Sequence, residues 1–248
     1  MSLTGRLAFV TGAGSGIGRA TCQCLAREGA LVIAADKNIG SARETVESLP
    51  KLLSESHLSI EISVENASQV QAALKESLNT YSRAPSIVVN AAGITRDNFI
   101  SKLSEADFDE VLDVNLKGTF LVIQTFANAI VEGKVEKASI INIGSVVAKF
   151  GNIGQGNYCA SKAGVELLTK VAAREFGKVN IRVNTVLPGV IQTPMFNAVP
   201  EKVKAKFVER IPLARLGYPE EVAEVISFLA SDKSSYINGA SIEVTGGF

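Results

Sequence analysis

Short runs of β-branched and aliphatic residues alternate along the chain with longer amphipathic stretches. Residues 7–11, 30–35, 58–63, 86–90, 139–143, 181–187 and 240–245 form the short runs and predict seven strands. They show little apolar/polar alternation, as expected of strands covered on both faces. Between them, residues 16–29, 40–49, 67–81, 108–131, 157–177 and 219–231 carry the spacing of helices. Strand, helix, strand, repeated, implies parallel pairing through right-handed crossovers. No linker, repeat or low-complexity tract interrupts the pattern. Residues 1–248 are therefore expected to form a single α/β domain, a doubly wound parallel sheet with helices on both faces. Such a sheet binds its ligand beyond the carboxyl ends of its strands, near the switch in strand order.

Composition narrows the function. Of 248 residues 46% are apolar, which fills a sizeable core, and 25 basic residues balance 25 acidic ones with no basic run. Nucleic-acid binding, driven by phosphate neutralisation, is not expected. The longest apolar run, 120–131, contains Gln124, Thr125 and Asn128, so no membrane insertion is expected. Residues 1–6 lead straight into the first strand with no small-residue cleavage site, which points to an intracellular protein. Cys22 and Cys24 lie two apart with Cys159 remote, and no histidine stands near to complete a metal set. The cysteines read as small apolar packers. His57, the one histidine, sits in a polar stretch with Ser54 and Glu55 and reads as a solvated loop residue. Hydrolytic triads, which need a histidine base, lose their candidate.

The motifs fall directly after strands. The first strand runs into Gly12-Ala13-Gly14-Ser15-Gly16-Ile17-Gly18. Glycines there permit a tight turn, close approach of backbone N–H groups to a pyrophosphate, and close packing of the following helix. The loop lacks the Lys-Ser/Thr ending of an ATP-binding loop, and its spacing departs from the commoner dinucleotide fingerprint. Asp36 ends the second strand, 18 residues beyond Gly18, where a carboxylate accepts hydrogen bonds from adenosine ribose and repels a 2′-phosphate. NAD is thus expected rather than NADP, with Lys37 the one cation close by in sequence. The fifth strand delivers Ser145. Thirteen residues later come Tyr158 and, four further on, Lys162, on one helix face. An ammonium near 4 Å lowers a phenol by up to about three pKa units at an effective dielectric of 20. Tyr158 is then placed to exchange a proton with a carbonyl or alcohol oxygen that Ser145 also holds.

These residues, with Asn90-Ala91-Ala92-Gly93, Asn115, Pro188-Gly189, Thr193 and Gly246-Gly247, resemble the short-chain dehydrogenase/reductase family across the whole chain. The resemblance implies a Rossmann-type fold and NAD-dependent interconversion of a secondary alcohol and a ketone. It implies that Asn115, Ser145, Tyr158 and Lys162 are catalytic, with Asn115 supporting a water-linked proton relay and Lys162 also binding the nicotinamide ribose. Ser63, Val64, Asn90, Ala91, Gly93, Pro188, Gly189, Ile191 and Thr193 would join residues 12–18 and Asp36 around the cofactor. Two positions depart from the family pattern: Ala91 replaces a second asparagine, and Ser63 replaces an acid expected to meet adenine.

Within the family, residues 151–158 and 236–239 resemble 3-oxoacyl-[acyl-carrier-protein] reductases, and Ala91 to Thr95 with Asp36 resemble an animal hydroxysteroid dehydrogenase branch. This implies (3R)-3-hydroxyacyl thioester or steroid substrates, a homotetramer or a heterotetramer with a carbonyl-reductase-type subunit, and a mitochondrial matrix location, with cytoplasm as the alternative. Apolar positions on more than one face of 108–131 also predict a subunit interface. The loop 188–217, with Met195, Phe196, Val199, Phe207 and Ile211 among charges, reads either as a substrate lid or as a core-anchored loop. Ser139 and Val179 occupy the places where bacterial relatives carry basic residues for the acyl carrier, so direct carrier docking is not expected. Two other classes remain: a catalytically silent nucleotide-binding subunit, and a methyltransferase, which would leave Tyr158 and Lys162 unused.

Overall fold

The computed structural model describes residues 2–51, 56–197 and 201–248. Seven parallel strands, β1 (Leu7–Thr11), β2 (Leu31–Asp36), β3 (Leu58–Glu61), β4 (Ile87–Asn90), β5 (Ala138–Ile143), β6 (Ile181–Pro188) and β7 (Ser241–Val244), form one sheet in the order β3-β2-β1-β4-β5-β6-β7. The order reverses between β1 and β4, so the loops after these two strands diverge and leave a crevice at their carboxyl ends. The inner strands are buried along their length, which accounts for their unbroken apolar runs.

The helices are α1 (Gly16–Arg27), α2 (Ile39–Glu47), α3 (Ala67–Tyr81), α4 (Glu105–Leu112), α5 (Gly118–Glu132), α6 (Val147–Phe150), α7 (Gly156–Phe176), α8 (Pro194–Asn197), α9 (Glu201–Arg210) and α10 (Pro219–Ala230). Helix starts are set by side chains that accept otherwise unpaired N–H groups. Asn66 accepts from Ser68 and Gln69, and Ser104 from Asp107. One core cluster, with Phe9 and Phe126 rings 4.2 Å apart, lies between the sheet and α3, α5 and α7. A second, around Leu25, Val32, Val186 and Ile226, lies between the sheet and α1 and α10.

Three expectations are corrected. The helix expected over 108–131 begins at Glu105 and is broken by a π-helical segment, Asp113–Lys117, between α4 and α5. The 28-residue stretch Glu105–Glu132 is long and apolar enough by composition to cross a bilayer, unlike the shorter run considered from sequence. Here Val122, Ile123, Phe126 and Ile130 pack into the core. His57 is half-buried and tied rather than solvated: Nδ1 accepts the Val32 N–H at 3.0 Å and Nε2 bonds the Pro50 carbonyl at 3.0 Å. Ser54, Glu55 and Val199 lie outside the described residues.

Candidate active site

A cavity of about 410 Å³ opens at the crevice between the β1 and β4 loops. Gly12, Ser15, Gly16, Ile17 and Gly18 form one side, with Asp36 beyond them; Ser63 and Val64 follow β3, and Ala91 and Gly93 follow β4. Tyr158, Lys162 and Thr193 close the other end. Ile94, Glu110, Asp113 and Ile143, which also line it, were not among the site residues expected from sequence. Ile94 lies in the loop after β4, Glu110 on α4, Asp113 at the start of the π-helical segment and Ile143 at the end of β5, each without a local motif of its own.

The glycine loop is built for close approach. A Cβ on Gly18 would lie 2.1 Å from the Gly12 carbonyl oxygen, so α1 packs on the loop only without a side chain there. Ser15, the residue before α1, makes no side-chain cap, which leaves first-turn N–H groups of this helix for an anion. Gly14 is not among the residues that line the cavity; it donates its N–H to Asp36 Oδ2 at 2.9 Å, while Asn38 N–H donates to Oδ1 at 2.9 Å. The Asp36 carboxylate is therefore fixed in place. Nearby Arg19 is engaged by Glu44 and Thr45, both at 3.0 Å. Glycine loop, free helix N–H groups and an oriented carboxylate fit a dinucleotide.

After β4, the Ala91 and Ala92 N–H groups both donate to Thr11 Oγ1 at 3.2 Å, so Thr11 anchors a turn whose second asparagine is missing. Asn90 is buried and not among the residues that line the cavity, with Nδ2 donating to Asn142 Oδ1 at 2.8 Å. Ser63 meets the start of α3, its N–H donating to Gln69 Oε1 at 2.7 Å. Pro188, Gly189 and Ile191 are not among the residues that line the cavity: the Pro188 carbonyl accepts from Val146, Gly189 donates to Val244, and Ile191 is buried.

At the other end, buried Ser145 follows β5 and sits close enough to the Tyr158 hydroxyl to act on its pKa, while its Oγ accepts the Val147 N–H at 3.4 Å. Lys162 Nζ donates to the Ile143 carbonyl at 2.7 Å and lies 5.7 Å from the Tyr158 ring centroid. Burial pushes Tyr158 up to about 12, against the opposing influence of Ser145, and pushes Lys162 down to about 8. The lowered phenol expected from sequence is thus absent in the chain by itself. Asn115 sits in the π-helical segment, fully buried, with Oδ1 accepting the Ile94 N–H at 2.8 Å. Its Nδ2 donates to the Ile94 carbonyl and to Ser161 Oγ, both at 3.0 Å.

The loop after β6 divides between the two readings left open. Met195 lines the cavity, Phe196 and Phe207 stack edge to face 6.1 Å apart, and Ile211 is buried. Ser139 is buried and donates to the Leu229 carbonyl, at the strand end remote from Tyr158.

A parallel sheet with a dinucleotide-type loop at its switch point and a Ser-Tyr-Lys group on the same edge defines an oxidoreductase. Comparison with known proteins agrees. The family described as Enoyl-(Acyl carrier protein) reductase matches residues 12–248. The (3R)-3-hydroxyacyl-CoA dehydrogenase of Mus musculus is 51% identical over 253 residues, covering 100% of this chain and 97% of that protein. The 3-oxoacyl-[acyl-carrier-protein] reductase FabG of Thermotoga maritima is 45% identical, covering 100% and 99%. A solved structure described as ribose-5-phosphate isomerase from Brucella melitensis 16M superposes with a TM-score of 0.90 at 33% identity, covering 99% of this chain and 93% of that one. The chain belongs to the short-chain dehydrogenase/reductase family and is an oxidoreductase acting on CH–OH groups. Dehydrogenases of this family use NAD(P)(H).

Proposed function

We propose that the chain interconverts (3R)-3-hydroxyacyl and 3-oxoacyl thioesters with NAD(H). The observation that carries the chemistry is Tyr158 with Lys162 beside it at the end of a cavity whose far wall is Asp36, and buried Ser145 acting on the Tyr158 hydroxyl from the end of β5. The names of the mouse and Thermotoga relatives support the acyl thioester. The preference for NAD rests on Asp36: its carboxylate is fixed by two N–H donors and repels a 2′-phosphate, while Arg19 is already paired.

Residues 12–18, Asp36, Ser63, Val64, Asn90, Ala91, Gly93, Pro188, Gly189, Ile191 and Thr193 are the proposed cofactor site, with Tyr158 and Lys162 at its reactive end. When bound, the nicotinamide supplies or accepts the hydride. Ser145 donates to the substrate oxygen and strengthens that bond as negative charge builds there. Tyr158, a protonated phenol through the neutral range, delivers its proton to the same oxygen in reduction and takes it back in oxidation. Lys162 places a positive charge beside the phenol and favours the transient phenolate. Asn115 holds the turn after Gly93.

Assembly into a tetramer is part of the proposal, supported by exposed Phe120 on α5 and Leu167 and Val171 on α7. The mitochondrial matrix location rests on the family resemblance. Steady-state kcat/KM for 3-hydroxybutanoyl-CoA and estradiol, each with NAD and NADP, tests the reading. The thioester with NAD should be turned over best; comparable values for estradiol or NADP overturn the corresponding part. Tyr158→Phe should lose about 10²- to 10⁴-fold in kcat and keep its affinity for NADH, which a silent nucleotide-binding subunit would not show.

A further inference from the structure

Tyr158 lies in the first turn of α7, and the peptide that carries it is held at both ends by buried side chains. Asn157 is fully buried, and its Oδ1 accepts the Tyr158 N–H at 2.8 Å. Its Nδ2 donates to the Arg96 carbonyl at 2.9 Å and the Asp107 carbonyl at 3.2 Å. Ser161, also fully buried, donates to the Tyr158 carbonyl at 2.8 Å and accepts from Asn115 Nδ2 at 3.0 Å. Asn115 in turn grips both backbone groups of Ile94. The two routes therefore end on one short segment, Ile94 to Arg96, directly after Gly93 in the cavity wall.

Helix initiation accounts for only part of this arrangement: the Tyr158 N–H is a first-turn donor that needs an acceptor, whereas the bonds from Asn157 Nδ2 to the Arg96 and Asp107 carbonyls and from Asn115 to Ser161 reach other segments. Asparagine ranks low inside a helix, and Asn157 lies within α7 rather than at the cap position, which Gln155 holds without a side-chain bond. The Asn157 amide bonds serve the Tyr158 peptide or the segments packed against it. We infer that Asn157 and Ser161 are positioning residues, which fasten the Tyr158 peptide to the segment walling the cavity and so fix the phenol beside the cofactor site. This rests on the reading of Tyr158 as the proton-exchanging group. A displacement of about 1 Å at such a group costs on the order of 100-fold in rate.

The test uses the full chain, cofactor-free, labelled with [13Cζ]tyrosine. Four tyrosines give four resonances, and Tyr158→Phe assigns the relevant one. In Ser161→Ala and Asn157→Ala the Tyr158 resonance should shift or broaden while the other three stay. With substrate, kcat should fall about 10- to 100-fold with NADH affinity and substrate KM unchanged. The double variant should lose less than the product of the single losses, because both side chains hold one peptide. An unmoved Tyr158 resonance, or an unchanged kcat, overturns the inference. So does a change in all four resonances together with weakened NADH binding, which marks a general loss of packing. Should Asn157→Ala fail to fold, Ser161→Ala decides alone, since it removes one small hydroxyl. The resonance needs no substrate: absent thioester turnover by the parent chain sinks the proposed substrate and leaves the positioning role to be judged by the spectrum.

Discussion

Lys162 carries an ammonium into a place that is 4% exposed, with the Ile143 carbonyl as its one hydrogen-bond acceptor among the described residues. Burial lowers its pKa from 10.5 to about 8, so the folded chain releases this proton near pH 8 and the unfolded chain near 10.5. Between those values the unfolded state binds more protons, and stability rises with pH across the window. Below pH 8 the full cost of the buried charge is present. Lys162→Met removes this titration. The parent should gain roughly 2–3 kcal/mol on the variant between pH 7 and pH 10, taking about 1.4 kcal/mol per pKa unit. Denaturant unfolding of both at each pH measures the difference, and a pH-independent difference would show that the ammonium is not held away from water. Tyr158 titrates in the opposite sense and higher, near 12, and is common to both chains. A cell at neutral pH therefore meets a charged lysine and a protonated phenol, the pairing that reduction of a ketone requires.

The π-helical segment Asp113–Lys117 is where an element, rather than a residue, adapts to the site. Such single wide turns gather at functional positions, and this one holds Asn115 on Ile94 while α5 restarts at Gly118. A Cβ on Gly118 would come within 2.6 Å of Val64 Cγ2, and Val64 lines the cavity. Gly118→Ala should therefore cost about 1–3 kcal/mol of stability through overpacking and weaken NADH binding by moving Val64; thermal unfolding and fluorescence titration read the two effects. Unchanged NADH affinity would show that Val64 gives way toward the core instead. Nothing in residues 108–131 announced the wide turn, because its apolar spacing continues through it. The α4 start was missed for a related reason: its signal is the Ser104 cap, while the apolar pattern begins only at Phe108. Inner strands were legible because burial on both faces writes itself as an apolar run. Tyr158 and Lys162 were legible because four residues in a helix put them on one face. His57 and the Asn157–Ser161 bracket were not, since their partners Val32, Arg96 and Asn115 are far away in sequence.

At the scale of the whole molecule, the sheet order places the glycine loop, Asp36 and the Ser145–Tyr158 pair on one edge, so that a single bound molecule spans segments from residue 12 to residue 195. Anything that binds only the folded form then stabilises all of them together. A ligand at 100 times its Kd adds about 2.7 kcal/mol, and for a chain of this size each kcal/mol raises Tm by roughly 2–4 °C. Saturating NADH should therefore raise Tm by roughly 5–10 °C. NADPH at the same concentration should raise it far less, because its 2′-phosphate meets a carboxylate that two N–H donors keep from turning aside. The contrast belongs to that one charge: in Asp36→Ala the NADH shift should shrink, the NADPH shift should grow, and the gap should narrow or close. Differential scanning fluorimetry with both nucleotides on both chains gives the four values. Equal shifts in the parent would remove Asp36 as the discriminating group and pass that role to Lys37, the cation that lines the cavity beside it.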